Sequence, residues 1–279
     1  MSVINTNLSA LQAANASNSA SAMLSKAMQQ LSTGNRINSA ADDPAGLAIS
    51  NSMTSQIDNM QQGVRNANDG ISLAQTGEGA LTQVTNMLQR IQQLAVQSSS
   101  ATYQASDRAN MQQEVTSLTT EINNVITGTQ FNGNSLFSTS GTDATFAIQT
   151  GSNATDTVTL DSASMSTLAT ANLVGAAANL KVDTVADATT TIANVNAALT
   201  QVNATNASLG AGESQLNSAV ANVTSSQTNL QAARSQITDT NYSTASTALS
   251  KAQVLSQAST AMISQANQTS QQVLSLLKQ

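Results

Sequence analysis

The sequence predicts a mainly α-helical chain: a long antiparallel coiled-coil rod with one small β-hairpin region, its N- and C-terminal helices paired. Three observations carry that prediction. Apolar residues recur at alternating steps of three and four over long stretches, the spacing of a helix that packs along one seam. A single proline, Pro44, stands in 279 residues, so almost nothing interrupts long helices. Glycines and short alternating runs gather in the middle, at 128–165.

Residues 3–33 place Ile4, Leu8, Leu11, Leu24, Met28 and Leu31 on a helical stripe broken by Asn and Ser. RINSAADDPAG (36–46) then separates this helix from the next. Asp42 and Asp43 stand beside Pro44. Negative charge is favourable at a helix N-terminus, which explains the acid pair better than catalysis. Ile57, Met60, Val64, Ala67, Ile71, Ala74, Leu81, Leu88 and Ile91 mark a second, long helix. SSSATYQASD (98–107) reads as a polar turn, with Ser106 or Asp107 as N-cap of a third helix. Met111, Val115, Leu118, Ile122 and Val125 mark that helix.

TFAIQT (145–150) and DTVTL (156–160), joined by GSNA, predict a β-hairpin at about 140–165. The Ser/Thr/Ala-rich stretch 161–185 supports no assignment. In 192–237, one heptad series is apolar throughout: Val195, Val202, Leu209, Leu216, Val223, Leu230 and Ile237. It reads as a coiled-coil seam roughly 70 Å long. The partner series runs Ile192, Leu199, Asn206, Glu213. After DTNYS (239–243), a last helix carries Ala252, Leu255, Ala258, Met262, Ala266, Val273 and Leu276. Stripes of equal period imply helices packed side by side. The expected division is 1–40, 41–240 and 241–279.

Composition excludes several functions. Only 9% of residues are charged, against about a quarter in ordinary proteins. A soluble monomer keeps a charged surface; neutral Ser, Thr, Asn and Gln instead suit subunits that pack against their own copies. With net charge −6 and no basic patch, nucleic-acid binding is not expected. Cys and His are absent, so no disulfide, thiol nucleophile, Cys/His metal site or histidine-based triad can form. No cofactor and no enzymatic activity are expected. No run of about 18 apolar residues occurs, so no membrane span is expected. The N-terminal 20 residues lack a basic leader followed by an apolar run, so no Sec-type signal is expected.

Glu78 and Glu213 interrupt apolar seams and read as surface or intersubunit hydrogen-bonding groups. Gly77 and Gly79 follow no strand, so they imply no phosphate loop. The Met residues follow helix seams and read as core filler. Hydroxyl side chains in 138–170 are candidates for surface O-glycosylation. The two terminal helices are too thin to be stable as a lone pair. They are expected to order only when sister copies surround them.

Long strings in both halves carry a resemblance. They are INTNLSALQAANASNSA (4–20), LSTGNRINSAADDPAGLAIS (31–50), RNANDGISLAQTGEGAL (65–81), LQRIQQLAVQS (88–98) and TQFNGNSLF (129–137). NLQAARSQITDTNYSTAS (229–246), SKAQVLSQASTAMISQANQ (250–268) and VLSLL (273–277) continue them. The chain resembles the bacterial flagellins over roughly 1–140 and 190–279, and looks like a short one without outer domains. The resemblance implies an extracellular filament subunit for motility. Its terminal helices would form the inner core around an export channel, and 41–240 the outer core.

It also implies partners: sister subunits, the flagellar type III export apparatus, and hook-associated and cap proteins. An export chaperone would take the C-terminal segment through Leu249, Leu255, Met262, Val273 and Leu276. Many flagellins engage Toll-like receptor 5 through a segment matching LQRIQQLAVQ. Arg90, Leu94 and Glu114 carry over, while Gln92 and Gln93 stand where related proteins hold charge. The nearest rival reading is a hook–filament junction protein with the same terminal plan.

Overall fold

The structure, a computed structural model, describes residues 6–138, 143–162 and 180–277, the last five as backbone only. Its helices are α1 (Leu8–Thr33), α2 (Pro44–Ser98), α3 (Ala105–Gly128), α4 (Val185–Thr238) and α5 (Tyr242–Leu277). Its strands are β1 (Gln130–Phe131), β2 (Asn134–Ser135), β3 (Ala144–Gln149) and β4 (Thr157–Ser162). The chain packs as two compact units, Asp58–Gln227 and the combination of Met1–Ile57 with Thr228–Gln279. The mainly helical reading holds, and the hairpin lies where alternation placed it.

Within Asp58–Gln227, α2 and α4 run antiparallel. Gln75 Nε2 donates to Glu213 Oε1 at 3.1 Å and Gln92 Nε2 to Asn196 Oδ1 at 2.8 Å, equal steps in opposite directions. One series of buried positions of α2 keeps heptad spacing: Gly63, Ala67, Gly70, Ala74, Gly77, Leu81, Val84, Leu88, Ile91, Ala95 and Ser98, with Leu73 and Leu94 buried beside it. Met60, Val64 and Ile71, expected in this stripe, are half-buried beside it. Glycine takes the place of Val64 and Ile71 because other elements come too close. A Cβ on Gly63 would collide with the Thr150 carbonyl, and one on Gly70 would stand 3.0 Å from Ile148 Cγ1 and Leu216 Cδ1. A glycine inside a helix costs roughly 0.5–1 kcal/mol relative to alanine, and the close packing of the hairpin offsets it.

On α4 the apolar series is buried through Val195, Val202, Leu209 and Leu216; Val223, Leu230 and Ile237 are half-buried. The partner series falls one residue earlier than expected. Thr191, Ala198, Thr205 and Gly212 are buried, and Ile192, Leu199, Asn206 and Glu213 only half so. Small residues on that side make room for the hairpin, since a Cβ on Gly212 would collide with Leu160 of β4. Among these residues Leu81, Leu88, Ile91, Ile122 and Ile126 are fully buried and form the core.

β3 and β4 pair antiparallel from Ala144↔Ser162 to Gln149↔Thr157. Their connection is wider than GSNA, running from Thr150 to Asp156. It is closed by Thr150 N–H donating to Asp156 O at 2.8 Å and Asn153 N–H to Asp156 Oδ2 at 3.1 Å. A second, two-stranded ribbon, β1–β2, was not foreseen. Asn132 and Gly133 turn it with φ of 50° and 80°, the signature of a type I′ turn.

The N-cap of α3 is Gln104 rather than Ser106 or Asp107. Asp107 sits at the third helical position and accepts from Gln104 N–H at 3.1 Å. Arg108 is buried beside it, donating to Ser100 O at 2.9 Å, Tyr103 O at 3.2 Å and Ser98 Oγ at 3.3 Å. Its guanidinium thus serves carbonyls past the end of α2, where a cation is favourable. Gln112 pins the chain before α4, donating to Leu180 O at 2.8 Å and accepting from Val182 N–H at 2.6 Å.

The many Ser and Thr residues in the helices turn their hydroxyls inward. Ser72, Thr76, Thr82 and Thr85 each donate to the carbonyl four residues earlier, at 2.7–3.0 Å.

Candidate functional site

The residues expected to act, through assembly, lie mostly on the terminal helices. Asn7 caps α1, its Oδ1 accepting from Ala10 N–H at 3.1 Å. Its Nδ2 donates to Ala266 O of α5 at 3.1 Å. At the other end α1 closes on Gly34, whose φ of 73° favours glycine and whose N–H reaches Gln30 O at 3.0 Å. Arg36 N–H then donates to Thr238 O at 2.6 Å and Thr240 N–H to Gly34 O at 2.8 Å, with Asn35 bridged to Asp239. These ties set α1 and α5 antiparallel.

The two helices pack through small side chains. Among the least exposed positions of α1, Ala10, Ala13, Ser17, Ala20, Leu24, Ala27 and Leu31 follow in steps of three and four. On α5 the same spacing selects Ala245, Leu249, Ala252, Ser256, Ser259, Ile263, Ala266 and Ser270. Leu24, Leu31, Leu249 and Ile263 are half-buried in this seam, but most of the large apolar side chains stand elsewhere. Leu8 is 57%, Leu11 54%, Met28 56% and Met262 61% exposed; Met23, Val254, Leu255 and Tyr242 are exposed too.

The expected stripes therefore divide between two faces. Leu24 and Leu31 face the partner helix, whereas Leu8, Leu11, Met28, Leu255 and Met262 face away. Ile4 lies outside the described residues. Val273 and Leu276 lie on α5, but their side chains are outside the described ones. Chemically, this arrangement offers an apolar surface on a helix pair and no reactive group. Among the described residues no three acidic side chains converge to hold a metal ion.

The Asp42–Asp43 pair does mark a helix start. Asp43 Oδ1 accepts from Gly46 N–H at 2.9 Å, capping α2. Asp42 pairs with Lys26 Nζ of α1 at 2.9 Å and accepts from Asn38 N–H at 3.2 Å and Ser39 N–H at 3.1 Å. The Lys26 ammonium first, then the Asn38 amide, hold its carboxyl down at about 2.

In Asp58–Gln227, Arg90 Nε meets Glu114 Oε1 at 2.7 Å on the surface. Leu94 is only 3% exposed and packs into the core, so the outer face here is made by the charged pair without it. A cleft of about 560 Å³ lies between the hairpin connection and the helices, lined by Met60, Thr150, Asp156, Ser218, Asn222 and Ser226 among others.

Comparison with known proteins accords with this layout. Residues 4–142 match the family model described as the bacterial flagellin N-terminal helical region, and 192–277 match the bacterial flagellin C-terminal helical region. A flagellin of Xenorhabdus nematophila is 38% identical over 313 aligned positions, covering 99% of each chain. Flagellin B of Vibrio cholerae is 44% identical over 162 residues, which is 58% of this chain and 43% of that one. The match thus spans under half the length of that relative. The crystal structure of Bacillus cereus flagellin superposes with a TM-score of 0.50 at 32% identity, covering 61% of this chain and 94% of that one.

Proposed function

The chain belongs to the bacterial flagellin family, and from that premise we propose that it is the structural subunit of an extracellular flagellar filament. One observation carries the reading. The terminal helices meet mainly through Ala and Ser, with a few half-buried Leu and Ile among them, and present Leu8, Leu11, Met28, Leu255 and Met262 outward. Exposed apolar surface of this kind marks an interaction site, and the partner of a homopolymer is a sister chain. A surface on one subunit that complements a different surface on the next makes a contact that does not close, and repeats as a helical tube. The division into an inner core of 1–40 and 241–279 and an outer core of 41–240 belongs to this proposal. So does ordering of the ends upon assembly.

The same ends suit the other partners the family implies. In the unfolded export form Leu249, Leu255, Met262, Val273 and Leu276 would offer an apolar ladder to a chaperone groove. Hook-associated and cap proteins would meet the terminal faces that a sister subunit otherwise covers. A second reading, favoured by the exposed Arg90–Glu114 pair, is contact with Toll-like receptor 5. Arg90→Ala would then weaken receptor binding while filaments still form.

Seeded polymerisation of the purified chain, followed by electron microscopy, tests the main proposal. Long tubes are the expected result. A chain that joins seeds to other proteins without extending them would be a junction protein instead. A chain cut back to 58–227 that still grew ordinary filaments would overturn the reading.

A further inference from the structure

Two carboxylates stand on adjacent turns where α2 and α4 carry their glycines. Gly77 and Gly79 flank Glu78 on α2, and Gly210 and Gly212 precede Glu213 on α4. The Glu78 carboxylate lies over Gly210, where a Cβ would stand 3.4 Å from its Oε1. Glu213, one turn along α4, accepts at Oε1 from Gln75 Nε2 at 3.1 Å. Gln75 and Glu78 are themselves one turn apart, hence on one face of α2. Glu78 therefore stands opposite Gly210 and Glu213 opposite Gln75, which puts the two acids on adjacent turns of the helix–helix contact.

No cation serves them. Among the described residues neither glutamate makes an ion pair. Among the described residues, the elements packed at this level add only negative charge. α4 contributes Glu213; β4 contributes Asp161, whose backbone carbonyl accepts from Ser208 Oγ of α4 at 2.9 Å. The β1–β2 ribbon approaches Gly77 through Leu136 and Phe137 and carries no ionisable residue. On α2 the nearest charged residues are Asp69 and Arg90, each more than two turns away. Half-burial first, and the Glu213 charge second, push the Glu78 carboxyl above the ordinary glutamate value.

We propose that Glu78 and Glu213 form an acid-tightened joint between α2 and α4: a proton taken up by the pair removes a like-charge repulsion and draws the glycine-bearing turns together. The sign follows from linkage. A carboxyl that binds its proton more tightly in the folded chain than in the unfolded one destabilises the fold at neutral pH. That penalty fades as pH falls through the raised Glu78 value and is gone below the unfolded one. The joint belongs to the single chain and does not depend on polymerisation.

Carboxyl NMR titration of the full-length, glutamate-labelled chain tests it, with thermal unfolding at about pH 7 and about pH 5. Glu78 should titrate above the ordinary glutamate range, and Glu213→Gln should bring it down toward that range. Glu213→Gln keeps an acceptor for Gln75, so its effect reports charge. Both Glu213→Gln and Glu78→Gln should raise Tm at neutral pH and flatten the gain on acidification. A Glu78 carboxyl in the ordinary range would overturn the proposal, as would one that Glu213→Gln leaves unmoved.

Discussion

The unit Asp58–Gln227 and the terminal pair α1–α5 use one heptad spacing for opposite ends. In the first, the seam takes the largest side chains: Leu81, Leu88, Ile91, Leu209 and Leu216 face inward and are buried. In the second, the fully buried apolar positions are Ala20, Ala27, Ala245 and Ala252, with Leu24, Leu31, Leu249 and Ile263 only half-buried among them, while Leu8, Leu11 and Met262 are left to the outside. Spacing alone therefore says that helices pack. Which side holds the bulk says whether the packing is complete within one chain. A core of leucines stabilises itself; a seam of alanines brings two helices close and leaves their apolar volume for another molecule.

The sharpest way to break this comparison is to truncate one leucine of each kind. Leu88→Ala should cost the isolated chain about 2–5 kcal/mol in denaturant unfolding, through lost burial and a cavity. Leu11→Ala should change monomer unfolding by no more than about 0.5 kcal/mol, yet raise the concentration needed for seeded growth, measured by sedimentation of polymer. Equal effects on the monomer would erase the distinction.

A second test exchanges glycine roles along α2. Gly63→Ala should destabilise by about 1–3 kcal/mol, because its methyl meets the Thr150 carbonyl of the hairpin. Gly79→Ala should stabilise by about 0.5–1 kcal/mol, since nothing lies within 4 Å of the added carbon. Thermal unfolding of both variants decides whether the stripe is a packing device or a tolerated weakness.

A smaller effect concerns the entry to α2. The Asp42 carboxyl is held at about 2 by Lys26 and the Asn38 amide, so its contribution is present above the ordinary aspartate range. It fades as pH falls through about 2. Asp42→Asn should speed hydrogen exchange at Asn38 and Ser39 near neutral pH, and the difference from the parent chain should vanish in strong acid. A difference that persisted there would assign the effect to shape and not to charge.

Much of this could be read from residues alone. The Val195–Leu216 series, the Asp43 cap and the β3–β4 alternation are local signals, and the structure keeps them. What escaped was carried by small residues. A scan for apolar positions passes over glycine, so Val64 and Ile71 stood in for Gly63 and Gly70 and Gly77 was passed over, although the glycines keep a heptad spacing of their own. The same bias put Leu8, Leu11 and Met28 in one stripe with Leu24, because alanine ranks below leucine in any reading by bulk. Asn132-Gly133 is a strong turn signal, but its strands are two residues each and show no alternation. The burial of Arg108 had no signal in its neighbourhood. It follows from where α2 stops, which only the folded chain reveals.

The hydroxyl groups that donate back to their own helices bear on how copies meet. A surface polar group normally surrenders a water molecule when another surface covers it, and an unmatched donor is then stranded. Thr76, Thr82 and their like have already placed their protons on carbonyls one turn away. A helix dressed this way can be dehydrated on contact without orphaning those donors, and needs no dedicated acceptor opposite them. Neutral, self-satisfied hydroxyls leave a face that is wettable when alone and indifferent to losing its hydration when covered.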